Sequence, residues 1–140
     1  MNFSSGYGSL DAFKKTTSTF QSAMTKAAQA YYKATGKKIM VNSAYRPEEY
    51  QQKLYDRWVA AGGKMPNPPG PNPVAGLNQP SKPNGKPDSH GGGIAIDTSQ
   101  ATDVKNTINL ADFGLRWGGE FGDQVHIQIK AWGPGQKFPP

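Results

Sequence analysis

The 140-residue sequence predicts an α+β fold: a small antiparallel sheet with flanking helices and a long Gly/Pro-rich loop. Three observations carry that reading. Apolar residues recur at three-, four- and seven-residue steps over residues 9–35, the spacing of one helical face. Two short segments, residues 94–97 and 125–130, alternate apolar and polar side chains as half-buried strands do. Eight of the twelve prolines fall within residues 62–88, which marks a loop. Helices and strands that are few and do not alternate regularly fit α+β rather than a wound parallel sheet.

In chain order, the first helix is expected over residues 9–35. Leu10, Phe13, Phe20, Met24, Ala27 and Tyr31 form its buried face, Ser9 caps its start and Gly36 stands at its stop. Lys38 to Tyr45 reads as a strand with Ile39, Val41 and Tyr45 on one side. Pro47 suits the first turn of a second helix, with Glu48 and Glu49 near its positive end. Tyr50, Leu54 and Trp58, four apart, are its buried face, and Gly62 and Gly63 end it. The loop 62–88 is too long for a plain connection in a compact domain, so it is functional or mobile. Order resumes at His90 to Asp97, where Ile94 and Ile96 point one way and Ala95 and Asp97 the other. A third helix is expected over about 101–112, with Val104, Ile108 and Ala111 as its stripe. Gly114 to Gly119 is a turn-rich approach containing Trp117. In the last strand, Val125, Ile127 and Ile129 face the core, and His126, Gln128 and Lys130 face the other side. Residues 1–8 and 133–140 are expected to be poorly ordered, and one domain spans 1–140.

Composition narrows the function classes. The absence of cysteine removes disulfides, thiolate metal sites and cysteine nucleophiles. No apolar run approaches the ~20 residues of a membrane span, so membrane insertion is not expected. Residues 1–10 lack a basic region followed by an apolar stretch, so no signal peptide is expected. Sixteen Lys+Arg against ten Asp+Glu give a net charge of +6. The basic residues are scattered, with no dense stripe and no aromatic-glycine RNA signature, so nucleic acid is not the expected partner. An anionic cell envelope suits a positive field equally well. A monomer is expected.

The chemistry concentrates near the two histidines. His126 sits at a polar strand position, His90 just before a strand, and Asp97 seven residues after His90 on that strand's polar face. Two imidazoles and one carboxylate on one sheet face suit a three-ligand zinc site with a fourth position open, the catalytic arrangement. Equally, a strand histidine can be a hydrogen-bonded surface residue, and Asp97 can cap the following helix. Asp123 lies three residues before His126 after the turn Gly118 to Gly122. That turn lets its carboxylate curl back beside a metal-activated water, as a general base requires. A turn-capping Asp is the competing explanation, and Glu120 is the competing base. Arg46, held extended before Pro47, can bind a scissile carbonyl or a substrate carboxylate, or pair with Glu49 at the surface.

These residues fall in a recognisable order: Ser43-x-x-Arg46 with Gln51, His90-x-x-Gly93-x-Ala95-x-Asp97, Trp117-Gly-Gly, and Asp123-x-x-His126. The set resembles the LAS-type zinc metallopeptidases, which include VanY-type D-Ala-D-Ala carboxypeptidases, D-Ala-D-Ala dipeptidases and phage L-alanyl-D-glutamate endopeptidases. It covers roughly residues 38–130, and the Trp117-Gly-Gly element is most similar to the phage endolysin branch. The resemblance implies one zinc ion per chain, in a cleft on the sheet face, held by His90, Asp97 and His126. It implies Asp123 as catalytic acid/base and Arg46 as the group stabilising the transition state. Ser43 and Gln51 support that arginine and line the cleft, with Asp88, Ser89 and Trp117 as further substrate contacts. Asp88 departs from the pattern, since relatives often carry Ser two residues before the first His. The implied function is hydrolysis of a bacterial peptidoglycan stem peptide, the L-Ala-D-Glu bond favoured, by an endolysin or virion-associated endopeptidase acting in the periplasm or cell wall. The alternatives are a D-Ala-D-Ala carboxypeptidase, a non-catalytic zinc-containing wall-binding module, and a metal-free basic domain that binds an anion.

Overall fold

The computed structural model describes residues 1–47, Glu49, Lys53, Asp56, Ala60 and residues 93–130. The expected loop 62–88 and the expected buried face Tyr50, Leu54 and Trp58 lie outside the described residues. Glu49, Lys53, Asp56 and Ala60 are helical and exposed, at the spacing of an outward face.

The fold mixes helix and strand, as expected. Strands β3 (Ala95–Asp97), β4 (Leu115–Trp117) and β5 (His126–Ile129) form an antiparallel sheet in the order β3-β5-β4. A second, two-stranded sheet was not expected. Strand β1 (Asn2–Phe3) pairs in parallel with β2 (Met40–Val41), which ties down residues expected to be poorly ordered. The Phe3 ring packs tilted against Phe13, with centroids 5.6 Å apart, so this terminal strand is anchored by a side chain as well as by its ladder.

The expected helix over 9–35 is two helices, α1 (Leu10–Lys14) and α2 (Ser18–Thr35). Both caps have local causes. Ser9 accepts a hydrogen bond from the Ala12 amide at 3.2 Å, and Thr17 accepts one from the Phe20 amide at 3.2 Å. Thr16 turns its hydroxyl back onto the Phe13 carbonyl at 2.6 Å, and the Thr17 amide donates to the Gly93 carbonyl at 2.8 Å. The break therefore joins the helices to the entry of β3. Gly36, at φ 71°, closes α2 as expected. Phe13, Phe20, Met24, Ala27 and Tyr31 are buried, whereas Leu10 is exposed.

The third helix is shorter than expected. Helix α3 (Ala101–Thr107) stops at extended Ile108, and a 3-10 turn (Leu110–Phe113) follows, capped by the Asn109 side chain on the Ala111 amide. The change of direction buries Leu110 in place of Ala111. The Tyr31 hydroxyl hydrogen-bonds Asp103, fastening α3 to α2. The core lies between these helices and one sheet face, where Ile94, Ile96, Leu115, Ile127 and Ile129 meet Phe20, Met24 and Val104. Ile39 and Val41 join it, and Ala44 takes the buried place expected for Tyr45. Among the described residues no helix is long and apolar enough to cross a membrane.

Candidate metal centre

Residues directly opposed in an antiparallel pair project from the same face. Asp97 on β3 opposes His126 on β5, and Ser43 forms an antiparallel bridge with Asp97 from the other side. Ser43, Asp97 and His126 thus form one row across the sheet. The row is rigid: the Asp97 amide donates to the Ser43 carbonyl at 2.8 Å, and the Asn42 amide donates to the Asp97 carbonyl at 2.8 Å.

The turn between β4 and β5 delivers the third group. Gly122, at φ 90°, reverses the chain, and the Asp123 amide donates to the Gly118 carbonyl at 2.8 Å. Asp123 Oδ2 comes to 3.7 Å from His126 Nδ1, so the curl expected from the sequence is present. Gly118 makes room for it. A Cβ there would lie 2.4 Å from the Asp123 carbonyl oxygen and 2.5 Å from His126 Cβ. A Cβ at Gly119 would enter the Trp117 ring at 2.1 Å. Trp117, expected at the substrate, has its indole committed to this turn: Nε1 donates to the Gln124 carbonyl at 2.9 Å, and Lys105 Nζ sits 5.1 Å from the ring centroid. The Trp-Gly-Gly element is therefore the scaffold of the turn.

One donor atom each from Asp97, Asp123 and His126 lies within 4.8 Å of the other two. His126 Nδ1 faces Asp97 Oδ1 at 3.3 Å. Tetrahedral zinc with bonds of about 2.0–2.1 Å sets its donors about 3.3–3.4 Å apart, so the Asp97–His126 spacing suits a shared ion. The chemistry of the donor set points the same way. An imidazole nitrogen beside two carboxylates calls for a positive charge, either a proton or a metal ion. His126 is only 4% exposed. Burial alone lowers its pKa, but the hydrogen bond and charge of Asp97, the charge of Asp123 and the hydrogen bond to Gln128 outweigh it, and the net shift is upward.

Arg46 reaches the same cluster, with Nη1 3.7 Å from Asp97 Oδ2 and its side chain 16% exposed. The Ser43 hydroxyl oxygen is buried and has no hydrogen-bond partner among the described residues. Glu120, the competing base, points outward and pairs with Arg116 at 3.1 Å. His90, Gln51, Asp88 and Ser89 lie outside the described residues. Gln128 received no role from the sequence, yet its Oε1 lies 2.9 Å from His126 Nε2. Its alternation with His126 on β5 was the available signal.

No family model matches this chain, and no curated protein matches it either.

Proposed function

We propose that this chain is a zinc-dependent peptidase that hydrolyses a peptidoglycan stem peptide, an endolysin-type or virion-associated phage endopeptidase with the L-Ala-D-Glu bond as its leading target. The observation that carries the reading is the meeting of Asp97, Asp123 and His126, with Arg46 at its edge. These residues come from separate segments and stand in the order of the LAS-type motifs. Zinc held by Asp97, His126 and His90 would supply a Lewis acid at neutral pH.

The side chains divide the remaining work. Asp123 is the more exposed carboxylate, at 32% against 15% for Asp97, and it sits on a turn rather than inside a ladder. It takes a proton from the attacking water and returns it to the leaving amine. Arg46 stabilises the negative charge that grows on the scissile carbonyl oxygen. The net charge of +6 favours approach to an anionic wall.

The test is digestion of purified peptidoglycan with zinc and with chelator, followed by turbidity and mass analysis. New N-terminal D-Glu, dependent on metal, is the expected result. Free D-Ala without loss of turbidity would make the chain a carboxypeptidase. Wall binding with no released fragment would make it a binding module.

A further inference from the structure

His126 has two ring nitrogens, and the structure gives them different partners. Nδ1 faces Asp97 and Asp123 at 3.3 and 3.7 Å, while Nε2 lies 2.9 Å from Gln128 Oε1. Gln128 is itself buried, 5% exposed, and stands two residues along β5 on the same face. Two arrangements of a neutral imidazole compete. With the proton on Nδ1, Asp97 accepts it, and Nε2 must receive a hydrogen bond from the Gln128 amide nitrogen. With the proton on Nε2, Gln128 Oε1 accepts it, and Nδ1 presents a lone pair to whatever lies between the carboxylates.

The surroundings of the Gln128 amide favour the second. Oε1 lies 2.9 Å from Nε2, and the amide nitrogen faces the Ile129 carbonyl at 3.5 Å, the edge of hydrogen bonding but the right polarity. Flipping the amide would set Oε1 against that carbonyl, acceptor against acceptor, inside a buried site. The amide therefore keeps its oxygen toward His126.

We propose that Gln128 is a positioning residue that holds His126 with its proton on Nε2, so that Nδ1 is the metal-binding nitrogen. This rests on the metal reading above. A hydrogen-bond acceptor on the far nitrogen orients the ring, fixes the tautomer and raises the basicity of the near nitrogen. Loss of such a partner lowers metal affinity by about 10–100-fold.

The test uses the whole chain and zinc alone. Zinc affinity is measured by chelator competition for wild type, Gln128→Leu and Gln128→Glu, and long-range proton–nitrogen spectra of 15N-histidine-labelled wild type locate the ring proton. The expected result is a proton on Nε2 in the zinc-loaded protein, affinity lowered about 10–100-fold in Gln128→Leu, and near-wild-type affinity in Gln128→Glu, which keeps the acceptor. A ring proton on Nδ1 in zinc-loaded wild type overturns the inference, as does full affinity in a folded Gln128→Leu. Should Gln128→Leu fail to fold, the wild-type spectra and the Gln128→Glu affinity decide. If wild type binds no zinc at all, the metal reading falls with it. In the metal-free protein at a pH where the ring is neutral, a lone ring proton on Nδ1 rather than Nε2 would then refute the tautomer assignment separately.

Discussion

Asp97 and His126 oppose each other across β3 and β5, with Oδ1 of one 3.3 Å from Nδ1 of the other. Neither side chain needs a loop to bring it there, because the strand register does so. Asp97 is gripped on both edges, by His126 and by Ser43. Asp123 reaches the same nitrogen from a turn, at 3.7 Å. That contrast between a ladder position and a turn position is what favours Asp97 as the proposed ligand and Asp123 as the proposed base.

The first prediction follows from it. Asp97→Asn should weaken zinc binding by tenfold or more, on the order of 1.4 kcal/mol, because it removes a fixed anionic donor. Asp123→Asn should retain zinc and the fold but lose about 10²-fold or more in hydrolysis, the usual scale for a general base. Metal content and turnover measured on the same preparations check both. If Asp123→Asn lost the metal while Asp97→Asn kept it, the roles would be exchanged.

The second prediction concerns the turn. Gly118→Ala places a methyl 2.4 Å from a backbone oxygen and 2.5 Å from His126 Cβ, and neither can swing aside as a flexible side chain would. Overpacking of this kind costs about 1–3 kcal/mol, and here it also displaces Asp123 and His126. Denaturation midpoint and zinc affinity should fall together. Trp117→Phe is the comparison. It loses the Nε1 bond to the Gln124 carbonyl, about 0.5–1.5 kcal/mol, and part of the ring that faces Lys105 and Gly119, but adds no atom beside Asp123 or His126 and should spare zinc. Equal zinc loss in both variants would show that the site tolerates no loosening of the turn from either side.

Much of this site was legible before any coordinates. Period-two alternation put Asp97 and His126 on the polar sides of their strands, and the glycine turn foretold the return of Asp123. What escaped the sequence was hidden by phase, by shortness or by distant partners. Phe13 and Phe20 stand seven apart and stay in phase with a single helix across the polar run 14–19, which masked the Thr17 cap; the bond from the Thr17 amide to the Gly93 carbonyl adds a distant anchor at the break. The two-residue strands β1 and β2 are too short to carry a period. Asn109 was a local capping signal within the expected third helix, and the stripe through Ile108 and Ala111 masked it. The resemblance alone places Trp117 at the substrate, and the close approach of Gly119 to its ring depends on the folded turn and carries no signal in the sequence.

Arg46 supplies the third prediction. Its guanidinium lies 3.7 Å from Asp97 Oδ2, at the rim of the carboxylate pair. Arg46→Lys keeps the charge but not the planar fork. Zinc affinity should change by only a few fold, while kcat falls by about 10²-fold with little change in KM, because the fork is needed where charge develops. A variant in which KM rises and kcat holds would make Arg46 a binder of substrate carboxylate, which favours a carboxypeptidase.

The last prediction is a crossing of two pH dependences. In the metal-free protein, burial lowers the His126 pKa, but Asp97, Asp123 and Gln128 raise it more, and the folded value ends above the usual value near 6.5. A group whose pKa is raised on folding contributes stability that is fully present below the unfolded pKa. That stability disappears as pH rises through the folded value. The melting temperature in chelator should therefore fall between about pH 6 and the pH at which folded His126 loses its proton. Zinc competes with the same proton for Nδ1, so metal affinity should rise over the same interval, and with it the stabilisation that bound metal adds. Melting curves in chelator and in zinc should then converge at low pH and separate as pH increases. The chain has a second histidine, His90, so the control is His126→Asn, which should flatten the chelator curve. An unchanged slope in that variant would assign the titration to another group and remove His126 as the proton-binding member of the cluster.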